Sequence, residues 1–298
     1  MSNDALVTVI VPVFNAEKYI DQCLRSLVEQ SYQNMEILVL DDGSIDGTLE
    51  RIQFWALKDD RIRIISRENK GLIATLNELI AKSRGQFIAR MDADDYCHVD
   101  RIRLQVAALG GDLALVGSNC LVVDDESKVV GQFRFEEKHS NIEVDGFFRV
   151  QFCHSSVMFD LNKIHLDDIR DDSEYPHAED LELWFRLLKK YQCGNLNRNL
   201  LCVRRGHATN VSTVHAKAQL DTTVKILVRY AGIPISNVDI LSLRQRNHLL
   251  SLASSGFRVG SSLYRRSVLK GSLFFKKLLL ILLVAIARRA AALLKGQF

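Results

Sequence analysis

The chain has 298 residues, 47% hydrophobic and 25% charged, enough for a sizeable core in one large α/β domain or two small ones. Only three prolines, no low-complexity tract and no solenoid-period repeat exclude a linker-rich or repeat architecture. The net charge of +3 divides unevenly: from Ile240 onward there are eleven Lys and Arg and no acid, leaving 28 basic against 36 acidic residues before it. An acidic body with a basic tail points to two different partners, and none of them is expected to be nucleic acid.

The first 120 residues alternate strand and helix. Val7–Val13 is a β-branched run that reads as a buried strand. Ala16–Gln30 places Tyr19, Ile20, Cys23, Leu24, Leu27 and Val28 on one helical face. Strands are expected at 36–40, 62–65 and 87–91, and helices at 48–57 and 72–82. Such alternation with short connections predicts a parallel sheet with right-handed crossovers, whose ligands bind beyond the carboxyl ends of the strands. Further on, short strands at 121–123, 129–135 and 155–159 and an apolar-striped helix at 179–191 are expected. A soft boundary falls near 215–240.

The six cysteines are scattered without a C-x-x-C pair, which argues against a zinc site, a redox pair or a disulfide framework. Leu6–Phe14 lacks the basic flank and cleavage site of a signal peptide, so a cytoplasmic location is expected.

Acidic residues gather where the second and fourth strands end: Asp41-Asp42-Gly43-Ser44 and Asp92-Ala93-Asp94-Asp95. Either run alone is an ordinary turn or helix cap. Two acidic loops after parallel strands, however, face one crevice. Clustered carboxylates raise one another's pKa, and a divalent cation relieves the repulsion. Mg²⁺ and Mn²⁺ commonly bind through one or two carboxylates plus substrate phosphates. Glu179-Asp180 opens a helix, where acids also belong for the sake of the macrodipole.

Five segments in order (Val7–Asn15, Leu40–Ser44, Asn69–Leu72, Arg90–Asp95 and Glu179–Trp184) resemble the family 2 glycosyltransferases of GT-A fold. His154–Phe159 and Arg205-Gly206-His207 resemble later segments of that family. The resemblance covers roughly residues 5–215. It implies a GT-A type α/β fold: a mainly parallel central sheet flanked by helices, with a Rossmann-like nucleotide-binding half. Residues 1–215 form the catalytic domain, 1–117 its donor half and 118–215 its acceptor half. Residues 216–298 form a helical, basic, apolar extension.

Site roles follow from the resemblance. It implies that Pro12, Phe14, Asn15, Glu17 and Asp42 hold the nucleotide base, with Asn69 and Gly71 in the same donor set. It implies that Asp92 and Asp94 touch the ribose and coordinate Mn²⁺ or Mg²⁺, and that Asp180 is the general base of an inverting transfer from a nucleotide sugar, a UDP-sugar favoured. Glu179 is the alternative base. The chain departs from the family at Asn77 and Val203, where many members carry Arg and Tyr.

Three rival readings stand beside it. A sugar nucleotidyltransferase needs a glycine-rich basic loop after the first strand, where this chain has Phe14-Asn-Ala-Glu-Lys18. A response-regulator-like module needs acids after that strand and a chain of half this length. A non-catalytic nucleotide-sugar-binding protein is separated only by turnover.

The tail is the last motif. Leu278–Ala287 is an uninterrupted apolar run of ten residues, flanked by Lys276, Lys277, Arg288 and Arg289. A spanning helix needs about 20 residues. A basic amphipathic helix lying on the inner face of the cell membrane, beside a glycan or lipid-linked acceptor, fits instead; a helix packed on the catalytic domain or on another subunit is the alternative.

Overall fold

The computed structural model describes residues 5–146, 149–170, 174–205 and 216–231. The tail motif at 273–287, most of the expected extension and His207 lie outside them.

Strand β1 (Val7–Val13) is buried along its whole length and sits mid-sheet. It pairs in parallel with β2 (Met35–Asp41) on one side and β4 (Phe87–Arg90) on the other; β3 (Ile62–Ser66) extends the sheet beyond β2. Period-2 alternation sends Val7, Val9, Val11 and Val13 to one face, where α1 (Ile20–Val28) packs. Helix α2 (Thr48–Ala56) also contributes to that core, through Ile52. Ile10, Leu38 and Leu40 point to the other face, against Leu76, Leu79 and Ile80 of α3 (Leu72–Lys82). A strand buried on both faces reads as a continuous apolar run, hence its legibility.

The second half of the sheet is mixed. β8 (Met158–Asp160) runs antiparallel to β4 and to β6 (Leu115–Val123). β9 (Cys193–Arg204) lies parallel to β6, and β5 (Tyr96–Cys97) closes that edge antiparallel to β9. β7 (Val129–Phe133) pairs with β6. The described residues hold four further α-helices: α4 (Arg101–Leu109), α5 (His139–Asp145), α6 (Glu179–Leu188) and α7 (Ala216–Ala231). Among the described residues, no helix is long and apolar enough to cross a membrane.

The structure refines the expected elements at several points. The first helix starts at Ile20 rather than Ala16, because Ala16–Tyr19 form a turn whose Ala16 N–H donates to Thr48 Oγ1 at 2.8 Å. Segment 155–159 is a 3-10 turn, His154–Ser156, running into β8. Helix α4 carries no readable apolar stripe, since two of its core positions are Arg101 and Gln105, both fully buried. Arg101 Nη2 donates to the Arg90 carbonyl at 2.7 Å and Nε to Gln105 Oε1 at 3.0 Å, bracing the end of β4.

Candidate active site

Because β2 and β4 flank β1, their carboxyl ends bring Asp41–Ser44 and Asp92–Asp95 to either side of Pro12–Asn15. The first two loops are laced together. Asn15 adopts a left-handed φ of 49°, which Asn tolerates. Its N–H donates to Ser44 Oγ and its Oδ1 accepts from Ile45 N–H, each at 2.9 Å. Glu17 Oε2 accepts from Gly47 N–H at 3.0 Å. Pro12 is buried and Phe14 is half exposed at the rim.

The two aspartates of Asp41-Asp42 do different work. Asp41 Oδ2 accepts from Ser66 Oγ at 2.9 Å and Oδ1 from Ser44 N–H at 3.2 Å, which holds its own turn. Asp42 is 4% exposed and organises the loop after β3. Its carboxylate accepts from the Arg67 guanidinium, from Lys70 N–H at 2.8 Å and from Gly71 N–H at 2.9 Å. Gly43 lets that loop approach: a Cβ there would meet Asn69 N at 2.8 Å, and its φ is 76°. Asn69 is exposed, and Gly71, with φ 86°, opens α3.

The acidic loop follows the carboxyl end of β4. Asp92, Asp94 and Asp95 each offer a carboxylate oxygen, all within 4.8 Å of one another. Asp92 pairs with the buried Arg90 at 2.9 Å. Asp95 is 2% exposed; Oδ2 accepts from Ser155 Oγ at 2.6 Å and Oδ1 from Arg204 N–H at 2.9 Å. Burial first, and then the charges of Asp94 and Asp92, push its pKa well above the carboxylate range; the Ser155 bond opposes them. Arg204 is itself buried. Its guanidinium donates to the Asp94 carbonyl at 3.2 Å, the Asp124 carbonyl at 2.6 Å, Gln22 Oε1 at 2.7 Å and Ser127 Oγ at 3.1 Å. It also lies over the Tyr19 ring, 4.7 Å from its centroid. Arg204 thus joins the acidic loop to α1 and to the β6–β7 turn.

Asp180 sits half-buried in the first turn of α6, its Oδ1 accepting from Leu181 N–H at 2.7 Å. One turn on, the fully buried Trp184 meets the His154 ring edge-on at 5.4 Å. Burial, then the nearby Arg90 charge, drive the His154 pKa well below its ordinary value. The next residue is Ser155, the donor to Asp95. One short turn therefore connects α6 to the acidic loop.

Of the other residues singled out from sequence, Asn77 lies half-buried on α3 and Val203 half-buried on β9; Arg205 is exposed, its guanidinium over Phe133 at 4.7 Å. Sequence reasoning missed Ser155, Arg204 and Arg67 as parts of the site. Ser155 at least sits in a segment recognised from its motif; Arg67 and Arg204 carry no local signal.

A family model described as glycosyl transferase family 2 matches residues 8–160. A Haemophilus influenzae protein named as an uncharacterized glycosyltransferase is 29% identical over 267 residues, covering 84% of this chain and 82% of that protein. The crystal structure of S. aureus TarS 1-349 in complex with UDP-GlcNAc superposes with a TM-score of 0.65 at 17% identity, covering 86% of this chain and 83% of TarS 1-349. The mannosyltransferase PcManGT of Pyrobaculum calidifontis, solved with GDP-Man and Mn²⁺, gives a TM-score of 0.58 at 16% identity, covering 96% and 80% respectively. These two likenesses establish the fold as GT-A, an α/β half of parallel strands continued by a mixed sheet. The nucleotidyltransferase and response-regulator readings fall away with this match. The chain belongs to glycosyl transferase family 2, and it is a glycosyltransferase.

Proposed function

We propose that this enzyme moves a sugar from a nucleoside-diphosphate sugar, UDP-linked in the favoured case, to a hydroxyl of a glycan or lipid-linked acceptor, with inversion at the anomeric carbon. The observation that carries the reading is the triad Asp92, Asp94 and Asp95, its carboxylate oxygens within 4.8 Å at the end of β4. The set suits a divalent cation: it is all oxygen, crowded enough that the buried Asp95 resists ionisation, and beside the open β1 and β2 loops. Asp92 and Asp94 would hold Mn²⁺ or Mg²⁺. Asp95, with both oxygens already bonded to Ser155 and Arg204, anchors the loop. When bound, such an ion supplies Lewis-acid neutralisation of the leaving diphosphate.

The chain's own groups do the rest. Pro12, Phe14, Asn15, Glu17, Asp42, Asn69 and Gly71 frame the base and ribose, and fixing the donor removes entropy from the barrier. Asp180, in the first turn of α6 where the helix N-terminus favours negative charge, takes the acceptor hydroxyl's proton. The freed oxygen bonds to the anomeric carbon as the bond to the diphosphate oxygen breaks. The acid-free basic stretch after Ile240 favours work at the cytoplasmic face of a membrane, in cell-surface polysaccharide or glycolipid assembly.

The test is turnover against a panel of UDP-, GDP-, CMP- and dTDP-sugars with Mn²⁺, for wild type and Asp94→Asn. Asp94→Asn should melt normally, bind Mn²⁺ at least tenfold more weakly, by a rough count of one lost carboxylate ligand, and lose turnover. Full wild-type activity in excess EDTA overturns the metal assignment.

A further inference from the structure

The Glu179-Asp180 pair is entered through a strained turn. His177 has a φ of 64°, a left-handed value that residues with a Cβ avoid. Such strain persists where the surroundings over-determine it, and it concentrates at functional sites. The turn is tight on both sides: Ala178 N–H donates to the Tyr175 carbonyl at 3.2 Å, and Glu182 N–H to the Ala178 carbonyl at 3.3 Å.

Helix α7 supplies the surroundings. Gln219 Nε2 donates to the His177 carbonyl at 2.9 Å, so this bond falls on the strained residue itself. Further along α7, Arg229 bonds the Tyr175 hydroxyl, and Lys225 lies 4.8 Å over the Tyr175 ring. Tyr230 stacks on Phe185 at 5.0 Å and donates its hydroxyl to Glu182 Oε1 at 2.7 Å. Helix α7 therefore grips both α6 and the turn that leads into it.

We infer that Gln219 is a positioning residue for the transfer reaction: by holding the His177 carbonyl it fixes the left-handed turn that aims Asp180, three residues on. The inference rests on Asp180 being the base. Without the amide donor, the peptide after His177 can rotate and let φ relax to negative values. That rotation would re-aim the first turn of α6, where Asp180 sits. The rest of α6 stays held by Trp184 against Phe152 and His154, so the fold survives the change.

The experiment uses the full chain, on the donor from the sugar panel that the wild type turns over. Gln219→Ala, Asp180→Asn, His177→Gly and the His177→Gly/Gln219→Ala double variant are compared by kcat, donor KM, affinity for the matching nucleoside diphosphate with Mn²⁺, and melting temperature. Gln219→Ala should lower kcat about tenfold, the rate equivalent of one lost hydrogen bond, with donor KM and melting temperature unchanged. Glycine accepts positive φ without a clamp. In the His177→Gly background the Gln219 effect should therefore shrink to less than about twofold, a non-additivity expected of groups acting through one turn. Wild-type kcat for Gln219→Ala, loss of donor affinity in place of kcat, or the same tenfold loss in the glycine background overturns the inference. Near-normal kcat for Asp180→Asn overturns the base assignment itself and the inference with it. An inactive Asp180→Asn beside an unaffected Gln219→Ala removes only the positioning role.

Discussion

Asp42→Asn tests whether the second carboxylate of the Asp41-Asp42-Gly43-Ser44 loop organises the proposed donor site. Asp42 is 4% exposed and accepts three donors, one of them the Arg67 guanidinium. An asparagine offers one acceptor oxygen. If that oxygen stays toward Arg67 and Lys70 N–H, the new amide N–H₂ faces Gly71 N–H, donor against donor. The loss combines a charge-assisted bond with a buried unpaired amide, about 3 kcal/mol in total. Orphaning the guanidinium outright would cost about 3–5 kcal/mol. Arg67 keeps Glu78 at 2.8 Å, which holds the loss to the lower end. For a chain of this size about 3 kcal/mol lowers the melting temperature by roughly 6–12 °C. The Arg67–Gly71 loop borders the donor groups, so nucleotide affinity should fall alongside. Differential scanning fluorimetry and calorimetry with UDP and Mn²⁺ read both quantities. A variant that melts with the wild type refutes the loop-organising role; one that melts early yet binds nucleotide normally refutes the link between that loop and the donor.

Two further outcomes are expected. Arg204→Met should lower the melting temperature by roughly 10 °C, since four acceptors lose their donor at a cost of about 3–5 kcal/mol, and should weaken Mn²⁺ binding by calorimetry; an unshifted melt refutes the brace. Full-length protein should float with liposomes of anionic lipid at low salt, while a variant lacking residues 270–298 should sediment yet still bind nucleotide; full-length protein that stays at the bottom removes the membrane role.

The parallel first half of the sheet was legible because its signals are local. β1 is apolar but for Thr8, being buried on both faces, and Gly43 and Gly71 mark turns whose φ values are 76° and 86°. The acidic loops were legible because adjacent carboxylates at strand ends are costly without a purpose. The second half hid for a physical reason. β9 reads Cys-Gly-Asn-Leu-Asn-Arg-Asn-Leu-Leu-Cys-Val-Arg, without alternation, and its register against β6 shifts between Ser118 and Cys120. A propensity reading has no means of seeing that Asn195 is buried there, its Nδ2 donating to the Glu136 and Gln151 carbonyls. Arg204 and Gln219 were invisible for a related reason: they act on residues 110 and 42 positions away. No window along the chain contains both partners.

What the structure adds is the way the acidic loop is held. Arg101 and Arg204 are buried beside it, and both direct guanidinium bonds at main-chain carbonyls, Arg90 O and Asp94 O, in place of the carboxylates. A guanidinium on a carbonyl fixes the backbone. A guanidinium forked onto Asp94 itself would compete with a cation for the same oxygens. Arg90 does pair with Asp92, but from below, with the arginine 4% exposed against 35% for the aspartate, so an Asp92 face remains toward solvent. Lysine would not substitute at 204. Its ammonium has three donors on a flexible stem, whereas the planar guanidinium reaches four acceptors while its face rests on Tyr19. Arg101 and Arg204 therefore shape the acidic loop through its main chain, and Arg90 through the Asp92 carboxylate.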